Sequence, residues 1–189
     1  MFRAECKAGT ALGKMACTLL SSGQLVPDEI TDKIVAGRIA QADCRDGFLL
    51  DGYPRTVPQA MHFSSLLRQR GLPGPTVIHL DVPDRDLIER LTARRQCPQC
   101  KHLYNLLSQP PQVAGICDND GAALVEREDD RKPVIVERLR AYEQLTGPIL
   151  KWYGDSAVYR VNGAAPADQV RRSIDQAISR QLSAVTPTR

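Results

Sequence analysis

Residues 47–56 read "GFLLDGYPRT": a short apolar run of Phe48, Leu49 and Leu50 runs straight into Asp51, Gly52, Tyr53, Pro54, Arg55 and Thr56. The run reads as a buried strand over 48–51, and in an open parallel sheet ligands bind at the carboxyl ends of the strands. An arginine at such an end suits a phosphate, because its planar fork meets two oxygens at once. A carboxylate beside it suits a magnesium ion, directly or through water. The stretch predicts a chain that handles a magnesium nucleotide.

A second constellation lies further on. Cys97 and Cys100 form C-x-x-C, Cys117 follows after 16 residues, and Asp120 stands three positions beyond it. Two turns with donors at i and i+3 aim four ligands at one tetrahedral centre, and thiolates and a carboxylate oxygen all suit zinc. Four protein donors leave no open position, so the site is expected to be structural. His102 is the second choice for the fourth ligand, being too close behind Cys100 for easy chelation. Cys6, Cys17 and Cys44 have no partners at metal spacing and read as small buried residues or incidental thiols.

Arginines flank this cysteine segment. Arg90 and Arg94 share one face of the helix entering it, Arg127 lies just after it, and Arg138 sits on the helix that leaves it. Phosphoryl transfer asks for positive groups around a phosphate chain, a magnesium ion and exclusion of water. A hinged lid carrying arginines meets that need. Asp129 and Asp130 are expected to fix the hinge or contact those arginines, or else to form a solvated acidic turn.

Several elements must position these groups. "PDEITDKIVAGRIAQAD", 27–43, reads as a helix, with Pro27 at its first position and Asp28 and Glu29 at its positive end. Thr56 caps a helix to about Arg70, ended by Gly71. "TVIHLDVP", 76–83, is a second strand and "SAVYRVNG" a third; helices are expected over 2–22, 85–95, 133–145 and 166–182, with a break at Gly147-Pro148. Strands alternating with helices give an α/β fold, a parallel sheet flanked by helices, with the cysteine segment as an insertion. The expected divisions are 1–26, a helical segment; 27–93, core; 94–130, the insertion; and 131–189, core.

The composition fits. The 189 residues are 42% hydrophobic and 25% charged, ordinary for a globular chain. A net charge of +3 is too balanced to argue for nucleic acid. No run of about 18 apolar residues predicts a membrane span. "MFRAECKAGT" lacks the apolar core of a signal peptide, so a cytoplasmic protein is expected.

"GFLLDGYPRTVPQA" resembles the nucleoside-monophosphate-kinase signature of adenylate kinases, "RRQCPQC…CDND" resembles the zinc lid of the long bacterial type, and "GQLVPDEI" resembles the end of its AMP-binding segment. The resemblance implies reversible phosphoryl transfer from MgATP to AMP, giving two ADP, by a monomer. It implies that Arg3 and Arg55 grip the AMP phosphate, that Gln59 meets the adenine, and that Gln24, Leu25, Val26 and Gly52 line the AMP site. It further implies that Asp51 holds magnesium through water, that Arg90 stacks on the ATP base, and that Arg94, Arg127 and Arg138 meet phosphates. Asn162, Gly163, Ala164 and Ala165 would line that base, and zinc would sit on Cys97, Cys100, Cys117 and Asp120.

The family pattern opens with a strand and a Gly-rich phosphate loop, and this sequence is expected to start after both. "GTALGKM", 9–15, does not supply the loop: three residues, not four, separate Gly9 from Gly13, and Met15 follows Lys14 where Ser or Thr is needed. The form as written is therefore expected to be poorly active. The alternatives are a catalytically inactive nucleotide-binding remnant, or a zinc-ribbon module that binds nucleic acid.

Overall fold

The computed structural model describes residues 2–21 and 26–185, with side chains over 5–19 and 26–180. The chain divides into two compact units, Met1–Pro75 with Pro148–Trp152, and Thr76–Gly147 with Tyr153–Arg189.

The first unit begins with a helical hairpin, α1 (Phe2–Ala8) and α2 (Ala11–Ser21), turned at Gly9. A Cys6–Cys17 disulfide joins the two helices. This corrects the reading of both as unpartnered thiols: they are 11 positions apart in sequence, yet the turn brings their Cα atoms to 5.8 Å. Gly13 and Lys14 lie inside α2. Helix α3 (Asp28–Ile39) turns Ile30 and Ile34 towards Ala16 and turns Val35 and Ile39 into the unit's main core. It ends earlier than expected, and a 3-10 turn at Ala42–Cys44 buries Cys44. Helix α4 (Val57–Gln69) starts at Thr56, whose hydroxyl accepts the Gln59 N–H at 3.2 Å. Its Phe63 and Leu67 join Tyr53, Val35 and Ile39, each burial contributing about 1.5–3 kcal/mol.

Residues 47–50 form no ladder with any described strand, contrary to the strand expected there. They keep a strand's alternation: Phe48 and Leu50 pack on the core, while Leu49 is 81% exposed. Period-2 burial is written in these residues, but a ladder needs a partner that the local sequence does not supply.

In the second unit, β1 (Val77–Asp81) pairs in parallel with β4 (Val158–Asn162), from Val77↔Val158 to Asp81↔Asn162. Helix α5 (Asp84–Thr92) follows β1, and α8 (Ala167–Val185) packs on β4. The insertion opens with β2 (Arg94–Gln96), paired antiparallel with β3 (Leu103–Asn105). Gln96 also exchanges both backbone hydrogen bonds with Val125, at 2.9 and 3.0 Å, closing the base of the segment. Helix α6 (Lys132–Ala141) passes through a π turn, Tyr142–Thr146, directly into α7 (Gly147–Tyr153). The expected break at Gly147-Pro148 is thus absent. The wider turn lets the Gly147 N–H reach Tyr142 O, and Pro148, which has no N–H, follows without interrupting the helix.

Candidate functional site

In the first unit the loop between Leu50 and α4 is braced from two directions. The Tyr53 hydroxyl donates to Asp32 Oδ1 at 2.6 Å, and both side chains are buried. Asp28, at the start of α3, accepts from Thr56 Oγ1 at 2.8 Å and from Gln59 Nε2 at 2.6 Å. The Arg55 N–H donates to Gln59 Oε1 at 2.7 Å. Arg55 itself is exposed, its Nε donating to Gly52 O at 2.8 Å. Gly52 has φ +75°, a conformation that favours glycine; a Cβ there would lie 2.9 Å from Arg55 Nη2, the far end of an exposed side chain that can move aside. Asp51 is exposed and lines a shallow cleft of about 200 Å³ with Arg38 and Cys44.

In the second unit three arginines gather on one acidic turn. Arg94 Nη1 lies 3.4 Å from Oδ1 of the wholly buried Asp130. Arg127 Nη2 lies 3.3 Å from Asp129 Oδ2, and Arg138 Nη1 donates to the Asp129 carbonyl at 3.3 Å. Where β1 and α5 meet β4, Arg90 donates to Gly163 O at 3.0 Å and to Ala164 O at 3.4 Å. The same loop is fixed by Gly163 N–H to Asp81 O at 2.8 Å and by Ala164 N–H to Asn162 Oδ1 at 3.0 Å.

The donor atoms of Cys97, Cys100, Cys117 and Asp120 all lie within 4.8 Å of one another. Two like turns build the cluster. In one, the Lys101 N–H bonds Cys97 O at 3.1 Å and Lys101 takes φ 63°; in the other, the Gly121 N–H bonds Cys117 O at 2.9 Å and Gly121 takes φ 72°. Cys97 Sγ is 3.2 Å from Asp120 Oδ2, and Cys100 Sγ is 3.6 Å from Cys117 Sγ. A tetrahedral zinc with sulfur ligands places its donors about 3.7 Å apart, so the set fits that ion. Burial pushes the Cys97 thiol up to about 11, so it needs a cation to become the thiolate that binds metal. Asp120 is held below the usual carboxylate range, first by the Ala122 N–H and then by Cys97. A bond to Cys117, with burial next, pushes the Tyr104 hydroxyl up to about 12.

The family model for adenylate kinase matches residues 1–158. The chain is 43% identical to a protein named adenylate kinase from Oceanobacillus iheyensis over 96% of its own length and 85% of that protein's. It is 45% identical to one from Syntrophomonas wolfei, over 93% and 82%, and 42% identical to one from Symbiobacterium thermophilum, over 94% and 83%. The chain belongs to the adenylate kinase family.

Of the residues expected from the adenylate kinase resemblance, the structure brings together Arg94, Arg127 and Arg138, groups Arg90 with Gly163 and Ala164, and assembles the four metal donors with Asp120, not His102, as the fourth. The His102 ring stacks edge-on with Tyr104 instead. Gln24, Leu25 and the side chain of Arg3 lie outside the described residues, and the side chain of Val26 packs towards Ile30 and Ile34. Sequence reasoning missed Asp28, Asp32 and Tyr53 as the braces of the Arg55 loop. Asp28 carried a signal, an acid just after Pro27, but a helix-dipole role absorbed it. Among the described residues no helix is long and apolar enough to cross a membrane.

Proposed function

We propose that the protein catalyses reversible phosphoryl transfer from MgATP to AMP, giving two ADP, with poor turnover in the form as written, where Gly9–Met15 does not supply a phosphate loop. The observation that carries the reading is the gathering of Arg94, Arg127 and Arg138 on one acidic turn, in a chain of this family. Three fixed cations preorganised in one place stabilise the charge of a transferring phosphoryl group without reorganising as it moves. On this reading Arg3 and Arg55 grip the AMP phosphate, whose oxygen attacks the γ-phosphorus in line. Gln59 meets the AMP base edge, beside backbone contacts from Gln24, Leu25 and Val26, and Gly52 keeps the approach to Arg55 open. Arg90 stacks on the ATP base, lined by the backbone of Asn162–Ala165. Asp51 orients the water shell of magnesium, which when bound neutralises phosphate charge. Residues 94–130 serve as a lid that excludes water, held in shape by zinc on Cys97, Cys100, Cys117 and Asp120. The protein would work as a cytoplasmic monomer on nucleotides, not nucleic acid.

The test is ADP production by the full protein supplied with MgATP and AMP. Activity abolished by Arg55→Ala and by Arg127→Ala is expected. Undiminished turnover in both variants would remove the assigned roles.

A further inference from the structure

The Gln59 side chain is 5% exposed, and its amide is pinned at both ends. Nε2 donates to Asp28 Oδ1 at 2.6 Å, and Oε1 accepts the Arg55 backbone N–H at 2.7 Å. A backbone N–H only donates and an ionised carboxylate only accepts, so the partners themselves settle which end of the amide is which. Rotating the amide by half a turn would set donor against donor at Arg55 and acceptor against acceptor at Asp28. Gln59 itself is buried, which limits how far water can relieve either mismatch.

Two of the amide's four hydrogen-bonding positions remain, one N–H on Nε2 and one lone pair on Oε1. We infer that Asp28 is a specificity-determining residue: by locking the Gln59 amide, it makes the AMP-side site select 6-amino purines over 6-oxo purines. The inference rests on the proposed contact between Gln59 and the base. A 6-amino purine offers an acceptor at N1 beside a donor at N6, and a 6-oxo purine offers the reverse order. A free amide would turn to suit either base. A locked one satisfies the first and leaves two unpaired groups against the second. Thr56 shares Asp28 through the other carboxylate oxygen, Oδ2, at 2.8 Å, and so separates bracing of the loop from locking of the amide.

The experiment compares kcat/KM for AMP and for inosine monophosphate in the full protein and in Asp28→Asn, Asp28→Ala, Thr56→Val and Gln59→Ala. Melting temperatures are measured alongside. Asp28→Ala is expected to lower the AMP-to-inosine-monophosphate ratio by about tenfold or more, the scale of one unsatisfied buried polar group, and Asp28→Asn, whose amide oxygen still accepts the Gln59 N–H, to lower it less. Thr56→Val is expected to lower the melting temperature and leave the ratio in place. An unchanged ratio in Asp28→Ala, with Gln59→Ala still impairing AMP, overturns the lock alone. A ratio that falls equally in Thr56→Val also overturns it, by making the effect one of general loosening. If Gln59→Ala leaves AMP handling intact, the base contact itself is wrong and the inference falls with it.

Discussion

Asp130 is wholly buried, its Oδ2 has no partner among the described residues, and its Oδ1 has Arg94 at 3.4 Å. Arg138, by contrast, is exposed and donates to the Asp129 backbone carbonyl. Two arginines given one role by sequence thus differ in what else depends on them. Arg94→Ala leaves a buried carboxylate uncompensated, a loss of about 3 kcal/mol. It is expected to lower the melting temperature by roughly 5 °C or more, as well as slowing turnover. Arg138→Ala is expected to cut kcat by about 10²–10³, the scale of one lost charge-stabilising donor, with little change in melting. Calorimetry beside steady-state kinetics checks both, and equal melting temperatures for the two variants would contradict the difference. The arginine cluster was legible because the residues flank one segment in sequence, and a guanidinium suits a phosphate by its type alone. Asp130's burial was not, because it depends on packing contributed by other elements.

Helix starts were read well from the sequence because their signals are local: Pro27 before α3, and Thr56 with its hydroxyl on the Gln59 N–H. The four-donor cluster was legible for the same reason, its spacing being set within single turns. Failures came where a remote partner decides. Residues 48–50 alternate like a strand without a ladder, and Cys6 and Cys17 meet only because Gly9 turns one helix back on the other. That cross-link closes a short loop and should contribute about 3 kcal/mol to the oxidised form by restricting the unfolded chain. A thiol reductant is expected to lower the urea midpoint of the wild type, while Cys17→Ser, already at the lower midpoint, is expected to be insensitive. A reductant effect of the same size in Cys17→Ser would show that it acts elsewhere.

On the scale of the molecule, the residues assigned to AMP and the residues assigned to the metal fall in different compact units. Arg55, Gln59 and Asp28 belong to the first, and Cys97, Cys100, Cys117 and Asp120 to the second. Removing metal with a chelator under reducing conditions should therefore abolish turnover and lower the melting temperature while leaving AMP binding, followed by calorimetric titration, within about twofold. Cys97→Ser should behave alike, because binding energy of a structural metal is folding energy for the segment it holds. Loss of AMP binding in step with loss of metal would show that the units do not behave separately. The general architecture, strands alternating with helices and interrupted by an insertion, was present in the order of the sequence; the division between units was not, since it depends on where contacts are sparse.

The paired backbone of Gln96 and Val125 gives the insertion a narrow neck. The chain leaves and returns at neighbouring points, so a segment that keeps a strand in the place of β3 can be lengthened, shortened or exchanged without redirecting the helix after it. Residues 97–124 are in that sense a cassette. Exchanging it for a segment that needs no metal would leave Arg94 before the neck and Arg127 after it on the same stretches of backbone.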